Sequence, residues 1–289
     1  MKTKLMVLAV AFLLPAAAVA ENGSPLHGIW KVDPGSIRAT HPHAFEIRDG
    51  IYACLSCRPQ YRIPADGAFY PVPTASGGDE VAVIVVNTGK VQITERRNGI
   101  EMASTVRELT GDAGLTRVTR TDLSGEKPVV STFHHRRDGL PSDATHATSG
   151  SWKDATYTEL SDSGRTFTYH VSGNRLQMTD PRGHAFVASM DGRETPYAGS
   201  HLISTVSVQK LAPHRMRMTT RHDGRVVGVT TVHVMPNGEW MRVVQEQADG
   251  SHMVYLATRL RSTALRSAQV PLGGEVPQDC ALHGCALEH

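Results

Sequence analysis

Hydrophobic and polar residues alternate with a period of two along short stretches of this chain, and tight-turn residues interrupt the alternation at regular intervals. Val91-Gln92-Ile93-Thr94 and Glu101-Met102-Ala103-Ser104-Thr105-Val106 alternate, and Val83-Ile84-Val85-Val86 before them is branched or apolar throughout. Successive side chains of a strand point to opposite faces, so the pattern predicts strands with one buried face. Between them sits Asn98-Gly99, a pair suited to a two-residue hairpin because both central residues of that turn need positive φ. Farther along, 204–208, 215–219, 226–234 and 240–244 read the same way, with Asp223-Gly224 and Pro236-Asn237-Gly238 as their turns. Turn signals every ~8–12 residues are those of an antiparallel sandwich or barrel. No stretch of the mature chain carries the period of an ordinary helix.

The pattern also repeats. Gly28-Ile29-Trp30-Lys31 is answered by Gly150-Ser151-Trp152-Lys153, at an offset of 122 residues. Asp66-Gly67 with Pro71 is answered by Asp191-Gly192 with Pro196, Asn98-Gly99 by Asp223-Gly224, Arg117-Val118 by Arg242-Val243, and Ser124-Gly125 by Asp249-Gly250, all at an offset of 125. A register held without gaps over that length is a duplication. The change from 122 to 125 places a small insertion or deletion in the first third. The expected fold is therefore all-β, with two tandem antiparallel up-and-down barrel modules. Their expected bounds are 21–140 and 150–262, joined by a polar, small-residue linker at 141–149 and followed by a tail at 263–289. Trp30 and Trp152, equivalent in the two copies, are expected to be core plugs.

The ends and the composition add a compartment. Met1-Lys2-Thr3-Lys4, an apolar run from Leu5 to Leu14, and Ala18-Val19-Ala20 are the three parts of a secretory signal peptide cleaved after Ala20. This predicts a periplasmic or extracellular protein. No cysteine follows the apolar run as lipid anchoring requires, and no later segment is apolar over the ~20 residues that a membrane helix needs. Lys and Arg number 30 against 28 Asp and Glu, and they form no stripe, so nucleic acid is excluded as a partner. Leu287-Glu288-His289 reads equally as a tag remnant or a native end and carries no weight.

A Gly-x-Trp at the first strand followed by a β-meander resembles the lipocalin-like (calycin-type) barrels, in which that Trp packs across the barrel floor. The order Gly-x-Trp-Lys, Asp-Gly-x-x-x-Pro, then a basic strand with Asn/Asp-Gly and a Val/Thr strand, is similar to bacterial secreted lipocalin-like proteins of undefined function. The resemblance covers both copies. It implies a non-catalytic binding protein with a small apolar ligand in one or both barrels. The alternative is a protein with filled barrels that maintains the envelope through its surface. No catalytic residue and no cofactor come with the resemblance.

Residues with possible chemistry are few. Cys54-Leu55-Ser56-Cys57 reads as a disulfide, a redox pair or half of a zinc site completed by Cys280 and Cys285 with His283. An oxidising compartment and an even count of 4 cysteines favour disulfides among Cys54, Cys57, Cys280 and Cys285, with connectivity open. At the repeat offset Cys54 and Cys57 fall near Thr179 and Arg182, so the second copy lacks both and the module does not need them. His41 and His43 are spaced to share a strand face, whereas the adjacent His134 and His135 point to opposite faces. His170, His184 and His201 fit no ligand spacing, so scattered surface imidazoles are expected and no metal is called for. No Gly-x-Ser-x-Gly or paired-carboxylate motif is present.

Overall fold

The computed structural model describes residues 23–74, 77–111, 114–139 and 146–260, without the side chain of His41. The signal segment, the tail, Cys280, Cys285 and 287–289 lie outside them. The described chain is all-β and antiparallel. Its first ten strands are β1 (Gly28–Val32), β2 (Arg38–Arg48), β3 (Ile51–Cys54), β4 (Tyr61–Pro64), β5 (Asp66–Pro71), β6 (Glu80–Asn87), β7 (Lys90–Arg97), β8 (Ile100–Leu109), β9 (Leu115–Asp122) and β10 (Val129–Arg137). The next ten are β11 (Gly150–Leu160), β12 (Thr166–Ser172), β13 (Arg175–Thr179), β14 (Ala185–Ser189), β15 (Asp191–Pro196), β16 (Thr205–Ala212), β17 (Arg215–His222), β18 (Arg225–Val234), β19 (Trp240–Gln247) and β20 (His252–Leu260). Among the described residues the helical content is a single 3-10 turn at Pro34–Ser36 and the four-residue α1 (Asp162–Arg165).

The strands read at 83–86, 91–94, 101–106, 215–219, 226–234 and 240–244 all fall inside observed ones, and the one read at 204–208 begins a residue later. The hairpin turns take the backbone that their sequence demands, with positive φ at Asn98 and Gly99 and again at Asp223 and Gly224. From β5 to β9 each strand recurs at equal length 125 residues on, as β15 to β19.

The pairing shows what the linear pattern does not. β10 turns back on β11, β11 pairs with β2, and β2 pairs with β3. Likewise β12 pairs with β13, while β1 lies between β12 and β20. The ladder is thus one strand out of phase with the sequence copies. The reason is ordinary meander chemistry: β11 follows β10 and pairs with it as consecutive antiparallel strands do. The amino-terminal β1 is left to seal β20, the last described strand. A first run therefore comprises β2 to β11, and a second run comprises β12 to β20 with β1.

All twenty strands belong to one sheet, joined across the runs by β2 with β20. It is not closed into two separate barrels by hydrogen bonds. Two breaks account for this. No ladder joins β4 to β5 or β14 to β15, and each of these pairs is instead one bent stretch of chain, hinged at Ala65 and at Met190.

Two cores follow the runs rather than the copies. Trp30 and Leu26 are buried among Tyr169, Leu176, Met216 and Val243, whereas Trp152 is buried among Phe45, Tyr52, Val83 and Val91. A third cluster of Ala39, Val118, Phe133 and Ala155 lies in the first run and reaches the second through Met253. The stretch read as a linker is partly built into the first run. His146 donates its N–H to Ile47 O, and Thr148 and Ser149 are buried.

Candidate functional site

Each run has the same floor. Trp30 donates its Nε1–H to Leu26 O at 3.1 Å, and Trp152 donates to Thr148 O at 3.1 Å. Over each indole lies an arginine from the neighbouring strand, Arg259 at 4.7 Å from the ring of Trp30 and Arg137 at 4.2 Å from that of Trp152. The glycine of Gly-x-Trp is explained by its backbone, with φ +142 at Gly28 and +130 at Gly150, a region that L side chains rarely adopt. Only at Gly150 does the arginine also crowd the position, where a Cβ would stand 2.6 Å from Arg137 Nη1. Both tryptophans are therefore core plugs, as the sequence predicts.

Above the floors the runs differ. Ladder register identifies equivalent positions, since each pairs with an equivalent partner. Phe45, Tyr52, Tyr61, Arg107, Thr116 and His135 of the first run correspond to Tyr169, Leu176, Phe186, Val232, Met241 and Ala257 of the second. Apart from half-buried Tyr61, every one of these residues is buried. In the second run the set is apolar apart from the phenol of Tyr169; in the first it holds a guanidinium, an imidazole, two phenols and a hydroxyl.

These polar groups are connected. Arg107 Nη1 lies 3.0 Å from His135 Nδ1, and the His135 ring is 6.2 Å from that of Trp152. Arg107 also stands 5.5 Å from the centre of the Phe45 ring. Tyr52 and Tyr61 are ring neighbours at 6.0 Å and hydrogen-bonded through their hydroxyls. Farther from the floor, Glu95 pairs with Arg120 at 3.4 Å, and Arg120 also donates to Thr105 at 3.2 Å. Electrostatics follows from burial. Loss of water lowers Arg107 to about 10, which leaves it charged at neutral pH. Burial, reinforced by Tyr61, holds the Tyr52 phenol well above its usual value. Burial and the Glu95 charge push Tyr61 up to about 12.

The expected disulfide is present in part. Cys54, the last residue of β3, is bonded to Cys57, and Cys57 packs against the first-run core. A bonded pair has no thiolate with which to hold zinc or attack a substrate. Ladder register sets Cys54 opposite Met178, one residue from the position read by constant offset. His43 faces the same loop, its Nδ1 3.4 Å from Ser56 Oγ and its ring 5.4 Å from Phe45. The shared face expected for His41 and His43 involves a side chain outside the described set.

His134 and His135 do point to opposite faces, but His135 is wholly buried and not a surface imidazole. Its strand passes under Trp152, so its inward position is a core position. Among the described residues no group of three His, Cys, Asp or Glu is arranged to hold a metal ion.

A cleft of about 260 Å³ lies where the two runs meet, its walls including Arg120, Asp122, Arg182, His184, Ser200 and Leu202. Arg182 Nη2 donates to Asp122 Oδ2 at 2.7 Å across the junction, and Arg182 O accepts from Glu126 N. His184 is oriented by Asp180, with Nδ1 3.0 Å from Oδ2. Gly199 is pressed against the same turn: a Cβ there would stand 2.1 Å from Gly183 O, so only glycine lets the 199–203 segment approach His184. A second, more open depression of about 450 Å³ lies beside Met235–Glu239 and Arg259. Neither recess is lined by the buried polar groups of the first-run interior.

The sequence reasoning missed Arg107 and Thr116, and it placed His135 among the surface imidazoles. The signal was present for two of them. The offset of 125 sets Arg107 against Val232 and Thr116 against Met241, a polar residue facing an apolar one at a buried register. His135 needs the ladder, because between β19 and β20 the equivalence returns to an offset of 122. No protein-family model and no curated protein matches this chain.

Proposed function

We propose that this chain is an exported, non-catalytic binding protein whose two runs are lipocalin-like barrels, each opened at one seam. In this reading the first run holds a small apolar ligand and the second is a filled scaffold. Three observations support the barrels: strands that recur at equal length, the duplicated Gly-x-Trp floor, and seams bridged by the chain itself at Ala65 and Met190. A barrel of this size has room for its own side chains or for one small ligand. The observation that carries the division of labour is Arg107. It is a buried cation with no carboxylate among its hydrogen-bonding partners in the described residues, at the register where the other run places Val232. Such a charge is costly unless something pairs with it, and a ligand whose apolar body ends in an acceptor group would do so.

Native mass spectrometry of the protein as purified tests this reading. It predicts a co-purifying apolar molecule, or uptake of one equivalent of a fatty-acid probe that Arg107→Met abolishes. An apo mass together with no probe uptake would sink it. Export is checked separately by the intact mass of protein recovered from the cell envelope, expected to begin at Glu21. A second reading is favoured by the position of both recesses away from the first-run interior: both barrels are filled and the protein acts through its surface. It predicts no uptake by either run.

A further inference from the structure

We infer that the outer face of the second run, at the end that carries Trp30, is a docking surface for a membrane with anionic lipid headgroups. The surface is built from Arg215, Arg217 and Arg242 with Trp240 and Leu211. It stands on different residues from the first-run interior, and it holds whether or not that interior carries a ligand.

The two runs differ at one outward row of the ladder. In the first run Lys90 of β7, Glu108 of β8 and Arg117 of β9 are successive cross-strand partners. Glu108 stands between the two cations and pairs with both, at 3.8 Å from Lys90 Nζ and 3.2 Å from Arg117 Nη2. In the second run the same row is Arg215 of β17, His233 of β18 and Arg242 of β19. Where the first run has a carboxylate, the second has an imidazole. Arg215 and Arg242 are exposed, and neither has an ion pair or a hydrogen bond among the described residues. Arg217, two positions along β17 on the same face, is exposed and unpaired in the same way, where the first run has Gln92. Glu239 and Glu246, the carboxylates that flank this part of β19, are ion-paired to none of the three. Strands ~4.8 Å apart set Arg215 and Arg242 ~10 Å from each other at the backbone, which is about one Debye length at physiological salt. Their repulsion is therefore felt, and a partner that brings negative charge relieves it.

The form of the surface names the partner. A single small anion on exposed guanidiniums gains little, because water and salt screen such pairs. An array of phosphates repeats that contact across the face, and each Lys or Arg near an anionic bilayer adds to the attraction. Apolar side chains accompany the charges. Trp240, two positions before Arg242 on the same face of β19, is 38% exposed. Leu211, beside Arg215 in the irregular end of β16, is 39% exposed. An indole with an apolar body and a polar N–H suits the headgroup level of a membrane. His214, with its ring 5.3 Å from that of His233, joins the row to the open depression of about 450 Å³ beside Arg259. That depression gives a headgroup room to seat.

The test is co-sedimentation of the mature chain, beginning at Glu21, with phosphatidylcholine vesicles, with and without phosphatidylglycerol, at low and high salt. Binding is expected to the anionic vesicles alone and is expected to be lost at high salt. It should shift tryptophan emission to shorter wavelength, and Trp240→Phe should remove the shift. His233→Glu is the discriminating variant, because it gives the second run the internal counter-ion of the first, and a thermal scan shows whether it is folded. It is expected to weaken binding at least tenfold, as is Arg215→Gln combined with Arg242→Gln, which changes exposed side chains only. Gln177→Glu makes the same substitution of charge at an exposed position of β13 and is expected to bind as the parent does. Equal binding to neutral vesicles, undiminished binding by His233→Glu or by the double variant, or an equal loss in Gln177→Glu overturns the proposal. No binding to the anionic vesicles also overturns it and leaves the row to an acidic protein partner.

Discussion

The interiors of the two runs begin from equivalent strands, turns and floors and end with different contents. In the second run, Leu176, Phe186, Val232, Met241 and Ala257 join Trp30 in one continuous apolar cluster. In the first, the equivalent positions are Tyr52, Tyr61, Arg107, Thr116 and His135, above Trp152. Burial of apolar area is what stabilises a β fold of this kind, at ~25 cal/mol per Å², and the second run uses every one of these positions for it. The first gives several of them to groups that must be desolvated. The two runs thus differ in contents on matched backbone, and the proposed division of labour rests on that difference. The backbone does not record that divergence; the side chains at matched register do.

The most severe way to break the comparison is to move the cation. Val232→Arg places an unpaired charge in the apolar run and is expected to cost at least about 3 kcal/mol, read from denaturant unfolding. Arg107→Met in the first run is expected to stay within about 1 kcal/mol of the parent, because an apolar residue of similar length removes a desolvation cost along with a hydrogen bond. A large loss in Arg107→Met would make Arg107 a structural element instead.

The floors give the next largest effect, and they test the phase of the ladder. Trp30→Ala and Trp152→Ala are each expected to cost ~3–5 kcal/mol. Trp30→Ala should lower amide-exchange protection in β16 to β19, distant in sequence, and leave β6 to β9 protected. Trp152→Ala should do the reverse. Loss of protection within each tryptophan's own sequence copy would contradict the pairing of β1 with β12 and β20.

Smaller effects come from what one run alone possesses. Reduction of Cys54–Cys57, which closes a loop of sequence separation 3, is expected to remove at most ~2 kcal/mol on the chain-entropy account. The loss should be confined to the first run, since Met178 stands at the equivalent place.

Acid is the mildest probe, and it acts on the junction. Burial raises the Asp122 carboxyl, but two hydrogen bonds from Ser124 and the charges of Arg182 and Arg120 outweigh it and hold the group below its ordinary value. Asp180 is likewise raised by burial and lowered further by His184 and by backbone N–H groups. A depressed carboxyl adds stability that is fully present above the unfolded value of ~3.9 and is lost as pH falls below it. Asp122→Asn should therefore flatten the fall in unfolding midpoint as pH drops below ~4.5. Asp66 and Asp191 are lowered alike, each chiefly by a backbone hydrogen bond two residues on, so they do not separate the runs.

Much of the scaffold was legible in the sequence, because period-two alternation and Asn-Gly or Asp-Gly turns are local signals. Val91 and Ile93 are buried in alternation as their spacing requires. The phase of the ladder was not legible. Gly28 and Gly150 head the sequence copies, and nothing local to them says that β11 will turn back on β10 while β1 crosses to β20. The buried polar group was half legible. Arg107 sits at an inward position of an alternating strand, where a sequence reader expects an aliphatic side chain, and only its mismatch with Val232 marks it. His135 and the cleft residues Arg182, His184 and Ser200 come together through pairing and loop contacts that no spacing rule contains.

The central claim, that the first run binds and the second is filled, is tested most directly by energy transfer from single tryptophans to a bound polyene fatty acid. Trp30→Phe with Trp240→Phe leaves Trp152 as the donor, and Trp152→Phe with Trp240→Phe leaves Trp30. The account predicts saturable quenching of Trp152 with one equivalent bound, abolished by Arg107→Met, and no short-range quenching of Trp30. Equal quenching of both donors, or of neither, would contradict it.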